Sequence, residues 1–140
     1  MFKDNFTHEV YENGDFVRSY RFHMPEHYDE NKKYPVVLFL HGAGERGDDN
    51  DLQLLIGIGT ALEDPESPLH EAFIIAPQVP REKLWVDIPW VVGNYKVDEL
   101  QETPYLAMGV DLVRKTMEKY SGSKRAFKAS GSIYHDWQLY

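Results

Sequence analysis

The chain is 140 residues long, about one domain, and its 15 Lys and Arg against 23 Asp and Glu give a formal charge of −8. That balance argues against nucleic acid as a partner, because affinity for a phosphate backbone comes largely from Lys and Arg releasing counterions, and the only basic cluster is Lys124, Arg125 and Lys128. Hydrophobic residues make up 42%, enough to bury a core, while apolar runs such as Pro35–Leu40 fall far short of the ~20 residues of a membrane helix. The absence of cysteine excludes a disulfide framework, a zinc–thiolate site and a thiol nucleophile, and fits a reducing compartment. Residues 1–20 hold four acids and no apolar h-region, so they do not read as a signal peptide.

Polar and apolar positions alternate over residues 7–23 around Asn13-Gly14. Asn-Gly is the strongest short hairpin signal because both turn positions tolerate positive φ. The pattern predicts antiparallel strands at Thr7–Tyr11 and Phe16–Phe22. Pro25–Lys33 is a polar connection. Tyr34–Leu40 is a continuous apolar run with β-branched and aromatic side chains, as in a strand buried on both faces of a helix-covered sheet. It runs into the glycine loop His41–Gly47 and an acidic turn, Asp48–Asp51. Leu55, Ile58 and Leu62 predict a helix over Leu52–Leu62, weakened by Gly57 and Gly59 and stopped by Asp64-Pro65 and Ser67-Pro68. Ala72–Pro77 reads as a second buried strand. Residues 78–101 form a Trp-containing loop longer than structural connections usually run.

Thr103-Pro104 then opens a helix, with Thr as N-cap and Pro at the first helical position. Leu106, Val110, Val113, Met117 and Tyr120 mark one of its faces, and Gly122 lies near a C-terminal cap. Strands alternating with helices predict an α/β fold: an N-terminal antiparallel hairpin plus a mostly parallel sheet with flanking helices. Another parallel strand is due after Tyr120. Residues 121–132 are poor material for it, and only Ile133-Tyr134 hints at a strand.

Gly42-x-Gly44-x-x-Gly47 matches the dinucleotide-binding fingerprint as a pattern. The fingerprint should open directly into a helix, whereas here three acids follow within four residues and would repel a pyrophosphate. A His-Gly turn at the end of a buried strand can instead aim backbone N–H groups at a carbonyl oxygen that becomes negative, forming an oxyanion hole. Glycine lets the backbone approach the substrate without a Cβ in the way. A tight strand-to-helix connection is the plain alternative. Asp48, Asp49 and Asp51 lack the ligand pattern of a calcium loop and read as a solvated turn. His8, His23, His27 and His70 show no metal-ligand spacing, so no metal is expected. Arg46 is placed to pair with an acid of the 48–51 turn. Trp85, Trp90 and Tyr95 suit a substrate cleft and a cap on the core equally well.

The block Tyr-Pro-Val-Val-Leu-Phe-Leu-His-Gly-Ala-Gly-Glu-Arg-Gly at 34–47, with Gln53-Leu54, Phe-Ile-Ile-Ala-Pro-Gln-Val-Pro at 73–80 and Trp-Val-Asp at 85–87, resembles the N-terminal part of an α/β-hydrolase serine esterase. Within that group it is similar to polyhydroxybutyrate-depolymerase-like and feruloyl- or acetylxylan-esterase-like carboxylesterases and predicted peptidases. The resemblance implies hydrolysis of a small ester by a serine, with a histidine as base, an acid orienting it, and no cofactor. It implies one oxyanion amide after the nucleophile and one from the loop after the third strand, here Ala43 or Gly44, with His41, Gly42 and Arg46 supporting the loop. From charge and the length of the apolar runs, no nucleic-acid or membrane partner is expected.

The family's nucleophile sits in Gly-x-Ser-x-Gly, which this sequence lacks. Ser132, His135 and Asp136 imitate a triad on paper but crowd within five residues. The expectation is a single, apparently truncated α/β-hydrolase domain over 1–140, family-like over 7–120 with a divergent tail at 121–140. It would hold part of an oxyanion hole and cleft but no nucleophile, base or acid, and be inactive alone. A truncation or reading-frame shift after Tyr120 would produce such a chain. The alternatives are a non-catalytic fragment that self-associates through an exposed sheet edge, a nucleotide-binding module, and a chain whose catalytic half a separate chain supplies. The expected location is cytoplasmic, or secreted were a leader missing.

Overall fold

The alternation from Thr7 to His23 folds as a hairpin in the computed structural model, which describes residues 5–55, 57–83, 85, 103–120, 122–130 and 133–137, the last two stretches through their backbone. Strands β1 (Thr7–Asn13) and β2 (Phe16–His23) pair antiparallel, from Thr7↔Phe22 to Asn13↔Phe16. The turn is Gly14-Asp15 rather than Asn13-Gly14. Asn13 is held in the ladder, and Gly14 takes the positive φ, 62°, at the first central position of the turn.

The apolar runs become β3 (Tyr34–Leu40) and β4 (Phe73–Pro77), paired in parallel. Two further strands follow, β5 (Gly122–Ser130) and β6 (Ile133–Trp137). The six-stranded sheet runs β1-β2-β4-β3-β5-β6, with β5 parallel to β3 and β6 antiparallel to β5. The stretch expected to make a poor strand is therefore β5, and Gly122 opens that strand instead of capping a helix. The backbone of β3 is the reason. Its N–H and C=O groups on the side away from β4 need partners, and the register from Val36↔Ala126 to Leu40↔Ser130 supplies them. Pairing with a central strand outweighs weak local propensity.

Alternate residues of β3 and β4 face opposite layers. Val36, Leu38, Phe73 and Ile75 pack with Met108, Leu112 and Val113, whereas Val37, Phe39 and Ile74 pack with Leu54, Ile58, Leu62 and Leu69. Each such side chain, fully buried, contributes about 1.5–3 kcal/mol of apolar transfer. The helix expected over Leu52–Leu62 is two pieces, a 3-10 turn at Leu52–Leu54 and α1 (Ile58–Leu62), divided by Gly57 at φ 75° and ψ −96°.

The second helix, α2 (Pro104–Lys119), starts where the sequence placed it. The Thr103 hydroxyl, however, donates to the Trp85 carbonyl at 2.9 Å and does not cap the helix. The buried face is Met108, Gly109, Leu112, Val113 and Thr116. It is rotated from the expected stripe, of which only Val113 is buried. Gly109 faces the sheet at a distance that leaves no room for a side chain, since a Cβ there would stand 2.9 Å from Leu38 Cδ1.

Candidate functional site

β3 delivers the glycine loop at the carboxyl end of the parallel strands, the side on which open α/β sheets bind ligands. Ala43–Glu45 forms a single 3-10 turn whose amide–carbonyl bond runs from Glu45 N–H to Gly42 O at 3.3 Å. The amides of Ala43 and Gly44 precede that donor and, like the first amides of any helix, have no acceptor within the turn. Among the described residues, no acceptor is bonded to the Gly44 amide. Gly44 is exposed, and no atom lies within 4 Å of the place its Cβ would take. Beyond Gly47 the chain bends through Asp48–Asn50 and does not open into the helix a dinucleotide fingerprint needs.

His41 is 2% exposed, and both its ring nitrogens are committed within the loop. Nε2 accepts the Val79 N–H at 2.9 Å, so the proton sits on Nδ1, which donates to the Gly42 carbonyl at 2.7 Å. Burial pushes its pKa below the ordinary imidazole value, against a raising effect of the Gly42 bond. A neutral imidazole fixed in this way ties the loop to the strand end beside it. Trp85 packs its ring 5.0 Å from that of His41 and donates Nε1–H to the His41 carbonyl at 3.1 Å. It is 7% exposed, and its described contacts are those of a cap on the core. Trp90 and Tyr95 lie outside the described residues.

A buried polar clamp holds the far side of the loop. The side-chain amide of Gln78, just after β4, donates to the Glu45 carbonyl at 3.0 Å and to Asp49 Oδ1 at 2.9 Å. Its oxygen accepts the Asn50 N–H at 2.7 Å. Asn50 holds a left-handed φ of 56°, and its Oδ1 accepts from Gln53 at 2.7 Å. From β2, Arg18 donates to the carbonyls of Gln78 and Gly47 and pairs with Asp48 at 2.7 Å. Arg21, 4% exposed at its side chain, pairs with Asp51 at 2.6 Å. Asp48 and Asp51 of the turn therefore anchor β2 arginines, while Arg46 reaches the Lys83 carbonyl at 3.4 Å. Burial raises the Asp49 pKa, but bonds from Gln78 and the Asp51 and Leu52 amides outweigh it and hold the carboxyl below its usual range.

Sequence reasoning quoted Gln53 and Gln78 within the family-like blocks but gave neither a task, and it missed Arg18, Arg21 and Asn50. The available signal was a polar residue directly after a proline-closed buried strand. The register Leu40↔Ser130 places the end of β5 beside the start of the loop. Ser132 lies outside the described residues, and His135 and Asp136 fall on β6.

A solved thermostable esterase is similar to this chain at a TM-score of 0.73 and 27% identity, over 91% of this chain and 35% of the esterase. Two structures of a CE1 ferulic acid esterase from the anaerobic fungus Anaeromyces mucronatus, without substrate and in complex with ferulic acid, align over 89% of this chain at 20% identity. They give TM-scores of 0.47 and 0.45 and are covered over 48% and 47% of their length. No protein-family model matches the chain, and no curated protein does. The chain has an incomplete α/β-hydrolase fold, similar to part of the thermostable esterase, and spans about a third of that esterase's length.

Proposed function

We propose that this chain supplies the oxyanion-binding part of a serine carboxylic ester hydrolase and does not turn over esters by itself. The carrying observation is the exposed residue Gly44 within a clamped 3-10 turn, on the carboxyl side of the parallel strands. The esterase neighbour supports the reaction class. When a nucleophile adds to an ester carbonyl, the oxygen gains a negative charge. Amides of Ala43 and Gly44 would donate to it, and their value lies in being fixed before the charge forms. His41, Gln78 and Arg18 supply that fixity by bonding the loop at both ends. His41 is not the base, because both of its nitrogens are occupied. The 140 residues hold no Gly-x-Ser-x-Gly, so nucleophile, base and acid are not assigned within them.

The test places residues 7–120 in a chimera with the rest of the thermostable esterase. The chimera should hydrolyse p-nitrophenyl acetate. Gly44→Pro or Ala43→Pro, each deleting one amide, should lower kcat about 10²–10³-fold with little change in KM. A folded, active chimera indifferent to both substitutions would overturn the proposal, as would turnover by the 140-residue chain that vanished on Ser132→Ala. The second reading is an interaction module. Within the described sheet β1 and β6 each pair on one side only, and an unpaired edge invites another strand. Sedimentation at rising concentration separates the two: a monomer throughout removes the second reading.

A further inference from the structure

Away from the glycine loop, metal-ligating groups gather where the turn after β2 meets the 3-10 turn Pro68–Glu71. Glu26, His27 and Glu71 each offer one ligand atom, and these atoms lie within 4.8 Å of one another. His27 Nδ1 stands 2.6 Å from Glu71 Oε1 across 44 residues of sequence, which is why no spacing pattern announces the group. The two segments are joined by their backbones, Glu26 N–H donating to the His70 carbonyl at 2.9 Å. His70 lies beneath, its side chain 15% exposed, with Nδ1 2.9 Å from Glu26 Oε1 and Nε2 3.0 Å from the Asp64 carbonyl. Both its nitrogens are engaged, so it orients Glu26 and is no ligand itself.

We propose that Glu26, His27 and Glu71 bind one first-row divalent cation, Zn²⁺ by preference, with water completing its shell. One imidazole and two carboxylates form a donor set that suits zinc over calcium or magnesium, which take oxygen ligands. Donors on one tetrahedral zinc stand about 3.4 Å apart, so small rotations of exposed side chains close the group. The short His27–Glu71 contact holds a proton where the ion would sit. Zinc therefore displaces a proton, and binding strengthens as pH rises. His70 plays the outer-sphere part of fixing a ligand carboxylate. An ion here would tie the exit of β2 to the turn leading into β4 and raise stability by linkage.

Calorimetric titration of the full chain with Zn²⁺ near pH 7.5 should show one site that weakens near pH 6. His27→Ala and Glu71→Gln should each lower its affinity about ten-fold or more. His8→Ala, at an exposed histidine of β1, should leave it unchanged. The His27 side chain is 84% exposed, so the unloaded variants should keep the parent circular dichroism and Tm. No binding at millimolar Zn²⁺, binding indifferent to His27→Ala, or equal loss on His8→Ala would each overturn the site. Ca²⁺ bound as tightly as Zn²⁺ would refute the role of the imidazole.

Discussion

Gln78 is 1% exposed and bonds Glu45, Asp49 and Asn50 with one side chain. Truncation to alanine would strand the Asn50 N–H in a buried place, take the Gln78 donor from Glu45 O, and leave Asp49 Oδ1 to the Asp51 and Leu52 amides. Unsatisfied buried groups of this kind cost more than the bonds contributed net. Gln78→Ala should therefore destabilise the chain by about 2–3 kcal/mol. The check is a lower urea midpoint at unchanged m-value, with faster hydrogen exchange at the Asn50 amide. An unchanged midpoint would mean that the clamp does not hold the loop. The glycines and His41 of this loop were legible in the sequence because strand, turn and glycine are contiguous. The clamp was not, because its partners sit 28 to 33 residues from Gln78 and nothing local says that a loop glutamine faces inward.

At the scale of elements, β3 and β4 were legible because a strand buried on both faces cannot carry polar residues and so announces itself. β5 was not, because its reason for being a strand lies in β3. The rotation of α2 has a similar origin. Its apolar stripe suggested a face through Leu106 and Val110, but a helix settles where it can approach closest, and Gly109 permits that approach over Leu38. Two effects compete in Gly109→Ala. Alanine favours a helix interior by about 0.8–1 kcal/mol over glycine. Against that, a methyl 2.9 Å from Leu38 Cδ1, in a side chain that is itself fully buried, forces repacking at about 1–3 kcal/mol. The steric effect should win, giving a net loss near 1 kcal/mol by chemical denaturation. Pairing the substitution with Leu38→Val should recover part of that loss, as a double-mutant cycle would show. Additive losses would mean that the strain is not between these two positions.

For the whole molecule, the two buried histidines make stability depend on pH. His23 is 1% exposed, donates from Nδ1 to the Ala72 carbonyl at 2.9 Å, and leaves Nε2 without a partner among the described residues. Burial lowers its pKa despite the raising effect of Ala72, and burial likewise lowers that of His41. Both are held neutral when folded, whereas in the unfolded chain each binds a proton near pH ~6.5. Their stabilising effect is present above that value and is lost as pH falls from there toward the depressed folded pKa values. His27 acts with the opposite sign, because Glu71 raises its pKa and its contribution fades as pH rises, but its full exposure keeps that effect small. Asp49, held low, does not titrate between about pH 5 and 7.5. Over that interval stability should fall with acidity at up to about 1.4 kcal/mol per pH unit for each histidine. Urea midpoints across the interval measure the slope. His23→Gln, which keeps an N–H for Ala72, should shallow it by roughly half. A slope that survives the substitution would place the pH sensitivity outside His23, and one of the opposite sign would mean that the folded chain binds more protons than the unfolded one, which two rings held neutral cannot produce.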